Sequence, residues 1–392
     1  MKKTIYMDNA ATTPIKKEVL DKMLPYLTES YGNPSSVYSL GSVSKRAVED
    51  ARMKISKAIG SSNREIYFTG GGSEADNWAV KGVAYANKSK GNHIITTKIE
   101  HHAILHACEY LEKNGFEVTY LDVDEYGMVK LDELKDSIKA NTILISIMFA
   151  NNEIGTIQPI KEIGAIAKEK GIYFHTDAVQ AIGHIDIDIN ELNIDLLSMS
   201  AHKFYGPKGI GALYIRNGVK IDSLIIGGGQ ERSRRAGTEN VPAIVGMGKA
   251  IEFAYENMDE HNAKLIHLRD SLIKKIEENI EEVRLNGHPT NRLPGNVNMC
   301  FKYIEGESLL LSLDMEGIAG SSGSACTSGS LEPSHVLLGI GLPHEIAHGS
   351  LRLSLGDFNT EEEIDYVVEK LIKIVERLRM MSPLYEKAKG EI

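Results

Sequence analysis

"EIYFTGGGSEADN", residues 65–77, is the stretch on which the fold turns. A β-rich run, "EIYFT", passes through three glycines into a helical pattern near 74–87. A strand that turns through glycine into a helix is the building unit of a parallel, helix-covered sheet. The same turn has chemical consequences. A helix start leaves backbone N–H groups unpaired at the positive end of the dipole, which suits a phosphate, and Ser73 adds a hydroxyl. No Gly-Lys-Ser/Thr follows, so this is not a nucleotide-binding P-loop. A glycine-rich turn with a serine cap accounts for the same letters.

Working outward, further β-rich runs occur at 93–97, 118–123, 142–149, 172–178 and 195–201, with helical stretches near 101–113, 131–139 and 160–170. Residues 42–59 carry Val43, Ala47, Val48, Ala51, Ile55 and Ile59 on one helical face. Alternating strands and helices predict a largely parallel sheet covered on both sides. From Val241 to about Ile280 the pattern is one long, nearly breaker-free helix. The order then changes to strand ("NVNMCFKY"), helix (306–316), a cysteine-bearing loop, strand ("SLRLSLG") and helix (360–379). We expect a large domain over 15–256 and a smaller α+β domain made of 1–14 and 257–392, with no linker composition at the boundary.

Composition narrows the class. The 392 residues are 42% hydrophobic and 25% charged, ordinary for a globular protein, and the formal net charge is −10. That charge argues against direct nucleic-acid binding and against anionic membrane surfaces. Cys108, Cys300 and Cys326 form no C-x-x-C pair, so a disulfide framework or multi-cysteine zinc site is not expected and a reducing cytoplasm fits. "MKKTIYMDNAATTP" contains no long apolar stretch, so neither a signal peptide nor a membrane span is read.

Ligands of open α/β sheets bind at the carboxyl ends of the strands, and three more clusters fall there. In "HTDAVQAIG" (175–183), Asp177 closes an apolar strand. A buried carboxylate there needs a cationic or donor partner, or else it caps the next turn. In "SMSAHKFYGPKG" (198–209), Lys203 is a candidate Schiff-base amine or an ordinary surface lysine. In "EHHAILH" (100–106), His102 and His106 stand at i, i+4, but the glutamate of H-E-x-x-H is missing. A ring packed over a planar ligand is a better role for one of these histidines than zinc. A phosphate cradle, a buried Asp, a Lys and a stacking His together describe pyridoxal phosphate. The last feature is "SSGSACTSGS" (321–330), where Cys326 sits among small and hydroxylated residues that build no core. It is either a reactive nucleophile on a loop that can move or an incidental free thiol.

These residues bring a family into view. The chain resembles the cysteine desulfurases of the NifS/IscS type, in the class V aminotransferase group of fold-type I pyridoxal-phosphate enzymes. The resemblance runs nearly end to end, through "YMDNAATTP" (6–14), "YGNPSS" (31–36), "NNEIGTIQPI" (151–160), "AHKFYGPKGIGALY" (201–214), "GGGQERSRRAGTENV" (227–241), "YIEGES" (303–308) and "SSGSACTSGSLEPSHVLLG" (321–339). It implies an α/β fold with a mostly parallel seven-stranded sheet and a smaller α+β domain.

Residue by residue, the resemblance implies that Lys203 holds the cofactor, Asp177 pairs with the pyridine nitrogen, and His101 stacks on the ring and serves as acid/base. Asn152 and Gln180 contact the ring and its phenolic oxygen. Gly72, Ser73, Ser200 and His202 hold the phosphate, and Thr238 reaches the phosphate of the other subunit of a homodimer. Asn33 and Arg352 grip the substrate carboxylate. Cys326 is the nucleophile that takes sulfur from L-cysteine as a persulfide, leaving L-alanine. No resident metal is implied, although Cys326 would transiently meet an iron–sulfur cluster on a partner. The sulfur acceptor would be a protein such as an iron–sulfur scaffold or another thiolation acceptor. A transaminase or selenocysteine lyase of the same fold, which needs no such cysteine loop, is the alternative enzyme. A non-catalytic sulfur-relay subunit is the alternative outside enzymes.

Overall fold

The computed structural model describes residues 4–322 and 333–389. Strands are numbered along the chain. β1 (Ile5–Tyr6) lies outside the large sheet, which is built from β2 (Ile66–Thr69), β3 (His93–Thr97), β4 (Glu117–Leu121), β5 (Thr142–Ser146), β6 (Tyr173–Asp177), β7 (Leu196–Ser200) and β8 (Gly211–Ile215). Their spatial order is β2-β8-β7-β6-β5-β3-β4. All neighbours pair in parallel except β8, which runs antiparallel to both β2 and β7. The chain is therefore α/β with a mostly parallel seven-stranded sheet. β3, β5 and β7 are buried along their whole length, as parallel strands covered on both faces must be.

The second half carries a three-stranded antiparallel sheet of β9 (Val283–Leu285), β10 (Asn296–Phe301) and β12 (Ser350–Ser354), in the order β12-β10-β9. The remaining strand, β11 (Ile318–Ala319), pairs with β1 in parallel. The segment after β1 ties this sheet to the large one. Met7 is fully buried in the apolar cluster of Leu265, Val297 and Leu353, and Asp8 bridges Ser354. A few residues on, Thr13 N–H and Oγ1 both donate to the carbonyl of His202, at 2.9 and 3.0 Å.

The long helix and the large sheet depart from expectation. The long helix is two helices, Val241–Glu256 and Met258–Asn279. Asn257 leaves helical geometry (φ −121°, ψ 16°), and its side-chain amide donates to the carbonyl of Phe253 at 3.3 Å. Asparagine competes in this way with the helical ladder. The strand β8 carries little β signal in the sequence, because "GIGALY" is short and glycine-rich. Its glycine is required: a Cβ on Gly211 would stand 2.5 Å from the carbonyl oxygen of Met199.

Candidate active site

The strand ends assemble one cavity of about 390 Å³ at the carboxyl edge of the large sheet. Asp177 closes β6, Ser200 closes β7, and Lys203 follows on a single 3₁₀ turn, Ala201–Lys203. The helix Gly72–Ala86 starts at the cavity, as does His101, which precedes the helix His102–Glu112. Gly72, Ser73, His101, Asn152, Asp177, Gln180, Ser200, His202, Lys203 and Arg352 all line this cavity.

The helix start is shaped by glycine. Gly71 has φ +152°, a conformation that side-chain-bearing residues rarely adopt. A Cβ on Gly72 would meet Val179 Cγ2 at 2.8 Å and Ser200 Cβ at 3.4 Å. The helix can thus begin against the cavity wall, with its N–H groups beside the Ser200 hydroxyl, the arrangement an anion needs. Ser73 is exposed at its lip.

Lys203 Nζ donates to the carbonyls of Ala10 and Ala11, at 2.5 and 2.8 Å, and Gln180 Nε2 donates to Ala10 at 3.0 Å. The N-terminal turn therefore closes one side of the site. Asp177 is buried, and burial pushes its carboxyl up to about 6, opposed by the N–H of Val179 and the charge of Lys203. The capping role weighed for it is real: Val179 N–H donates to Oδ1 at 2.9 Å. Capping and facing the cavity are compatible.

His101 caps its helix, with Nδ1 accepting from Ala103 N–H at 3.1 Å, so Nε2 carries the proton of the neutral ring. Burial first, then Lys203 and the neighbouring histidines, hold its pKa down to about 4. At neutral pH it is an uncharged imidazole. His202 is likewise held down to about 4, by burial and then by Lys203 and Lys208.

Arg352 is almost fully buried. It donates to Asp8 Oδ1 at 2.8 Å and to the Asn152 carbonyl at 3.1 Å, while its Nε is buried without a hydrogen-bond partner among the described residues. A buried guanidinium with an unsatisfied N–H on the wall of a cavity suits a carboxylate ligand. Its backbone also pairs with Ser321, through N–H···O bonds of 2.6 and 3.0 Å.

The structure does not bring Asn33 or Thr238 to this cavity; both are exposed, and Asn33 Oδ1 accepts from Ser35 N–H at 2.9 Å. Cys326 lies outside the described residues, as does the loop around it. Sequence reasoning missed Asp8, the Ala10–Ala11 carbonyls and Asp76. The carbonyls carry no side-chain signal, and Asp8 is 344 positions from its partner Arg352. Asp76 stood inside the opening motif, where its place in a helical pattern gave it no distinct signal. Among the described residues no group of three or more His, Cys, Asp or Glu is arranged to hold a metal, His102 and His106 included.

The donor set fits pyridoxal phosphate. An anion seat, a buried acid, an amine and an imidazole share one cavity, and glycines leave space where a Cβ would collide. Comparison with known proteins agrees. The model of the family "Aminotransferase class-V" matches residues 5–367. A cysteine desulfurase IscS of Clostridium botulinum is 67% identical over 98% of both chains, and one of Methanosarcina thermophila is 65% identical over 98% of this chain and 95% of its own. A solved NifS-like protein superposes with a TM-score of 0.90 at 41% identity, covering 96% of this chain and all of that one.

Proposed function

We propose, on the premise that this chain belongs to the aminotransferase class-V family, that it is a pyridoxal-phosphate-dependent cysteine desulfurase. The observation that carries the reading is the meeting of Lys203, Asp177, His101 and the Gly72–Ser73 helix start in one cavity, in a chain two-thirds identical to proteins of that name. When bound, the cofactor supplies an electron sink that loosens bonds at the substrate's α-carbon.

This chain's residues do the rest. Asp177 offers a carboxylate to the ring nitrogen. Ser200, His202 and the N–H groups at Gly72 and Ser73 hold the phosphate, and Asn152 and Gln180 fix the ring edge. Lys203 anchors the cofactor aldehyde and moves a proton at Nζ. His101, neutral at neutral pH, packs on the ring and donates through Nε2. Arg352, oriented by Asp8, binds the carboxylate of L-cysteine. The Cys326 thiolate attacks the substrate sulfur. A sulfur–sulfur bond forms, the carbon–sulfur bond breaks, and the carbon side takes up a proton to leave as L-alanine. The persulfide sulfur passes to an acceptor protein, for which we propose an iron–sulfur scaffold.

The same reading makes the protein a cytoplasmic homodimer. Thr238 serves the partner's phosphate, which agrees with its exposure outside its own cavity. The three cysteines, none in a C-x-x-C pair, suit a reducing compartment. Among the described residues no helix is long and apolar enough to cross a membrane. We also propose the domain division at 256/257, with residues 1–14 in the smaller unit. The burial of Met7 in the second apolar cluster and the helix break at Asn257 support it.

Lys203→Ala tests the reading. Sulfide and alanine production from L-cysteine should fall by at least about 10³-fold, because no other amine replaces Nζ, and the visible cofactor band should be lost. Wild-type turnover in that variant would end the pyridoxal-phosphate assignment.

A further inference from the structure

Among the described residues, two acidic ones line the cofactor cavity, and the reading above uses one of them. Asp76, on the second turn of the helix Gly72–Ala86, is 1% exposed. Its Oδ1 has no hydrogen-bond partner among the described residues. Behind it lies a chain of buried polar groups. Ser146 Oγ bonds His175 Nδ1 at 2.8 Å, and His175 Nε2 bonds Ser198 Oγ at 3.0 Å. The Asp76 carboxyl lies against this chain, with Oδ1 3.8 Å from His175 Nε2 and Ser198 acting to lower its pKa. In the sheet, Ser198 is the register partner of Asp177, so the chain ends beside the acid assigned to the ring nitrogen.

A buried carboxylate needs cations or several donors. The titratable and charged groups around Asp76 are Asp177 and His175 on β6, Glu100 ahead of the next helix, and Lys203 and His101 across the cavity. Lys203 is already bound to two carbonyls. His175 Nε2 comes within 3.8 Å of Oδ1, too long for a hydrogen bond, and both its ring nitrogens are engaged by serines. An ion pair between Asp76 and a protonated His175 would need an imidazolium with no exposure to water.

We propose that Asp76 is a positioning residue that sits in the cavity wall as the neutral acid, closing the Ser146–His175–Ser198 chain and leaving Asp177 as the single carboxylate offered to the cofactor ring. The electrostatics agree. Burial, and then Asp177 beside it, raises the Asp76 carboxyl well above the ordinary range, while burial holds His175 down to about 3. Two ionised carboxylates side by side in a buried wall would repel. With one neutral, the cofactor faces a single negative charge.

The inference rests on the cofactor reading, and its test separates the two. The full-length wild type, Asp76→Asn and Asp76→Ala are compared with and without pyridoxal phosphate. Asp76→Asn keeps the shape and removes the ability to ionise. An acid that is neutral when folded but ionised when unfolded costs stability as pH rises above its unfolded value. The melting temperature of the cofactor-free Asn variant should therefore exceed that of wild type by a margin that widens by a few degrees from about pH 5 to pH 8.

In the loaded protein, the pH midpoint of the cofactor's visible band should be the same in the Asn variant as in wild type. Asp76→Ala, which abandons Ser198, should bind the cofactor about tenfold more weakly, and Asn should restore that affinity. A melting difference that stays flat with pH, or a band midpoint moved by about a unit in the Asn variant, would show an ionised Asp76 and overturn the proposal. If the Ala variant fails to fold, the Asn comparisons decide alone. Failure of the wild type to take up pyridoxal phosphate would instead overturn the cofactor reading, and the melting comparison would still decide Asp76.

Discussion

At the scale of single residues, the site works by burying groups that water would otherwise hold in another state. His101, His202 and His175 are kept neutral at about 4, 4 and 3, chiefly by burial. A base whose folded pKa is depressed contributes stability that is present above its unfolded value, about 6.5, and is lost as pH falls towards the folded value. The cofactor-free protein should lose stability from these groups between about pH 6.5 and pH 4. His202 makes the cleanest probe. Its Nδ1 contacts Thr12 Oγ1 at 3.1 Å, a bond a glutamine side chain can approximate. Thermal scans of His202→Gln against wild type should show the variant gaining relative stability as pH drops through that window, by a few degrees in melting temperature. A difference that does not change with pH would mean that His202 is not held neutral. Lys203 and Asp177 stood out as candidates because an amine and an acid fall at the ends of neighbouring strands, whereas His101 was singled out from the histidines of "EHHAILH" only by the family resemblance. Asp8 and the Ala10–Ala11 carbonyls were not legible, because their contacts reach partners 344, 193 and 192 positions away.

At the scale of elements, the glycine turn between β2 and the following helix shapes the proposed phosphate seat. Nothing lies within 4 Å of a Cβ on Gly71, so an alanine there meets no clash, and its cost is the backbone conformation at φ +152°. Gly71→Ala should cost about 1–3 kcal/mol by denaturant unfolding and weaken cofactor binding, because relief of the strain moves the helix start. A variant as stable as wild type would show that the turn tolerates a side chain. Strand identity was readable wherever β-branched and apolar residues ran unbroken, as in "HIITT", which matches β3 to the residue. It failed at β8, where glycines needed for close packing diluted the pattern. The helix break is hidden for a related reason: helical periodicity continues through Asn257, and the break comes from that residue's own backbone and side-chain hydrogen bonding.

At the scale of the molecule, two sheets meet over one cavity, and the N-terminal segment belongs to both. Arg352 shows the consequence: its backbone pairs with Ser321, its side chain with Asp8, and it reaches the Asn152 carbonyl beyond the large sheet. The assembly proposed above makes a quantitative prediction. A heterodimer of a Lys203→Ala protomer with a Thr238→Ala protomer gathers both defects in one site and leaves the other intact, so about half the wild-type activity should survive. If each site draws all its groups from one chain, activity should stay near that of the separate mutants. The central claim is that sulfur leaves L-cysteine onto Cys326. The most direct test is intact-protein mass spectrometry of the cofactor-loaded chain after L-cysteine without a reductant, with the alanine released counted in parallel. The wild type should gain the mass of one sulfur atom per chain and release one alanine per chain, and Cys326→Ser should do neither. A chain that gains no sulfur while releasing alanine, or one that still gains it in Cys326→Ser, would contradict the account.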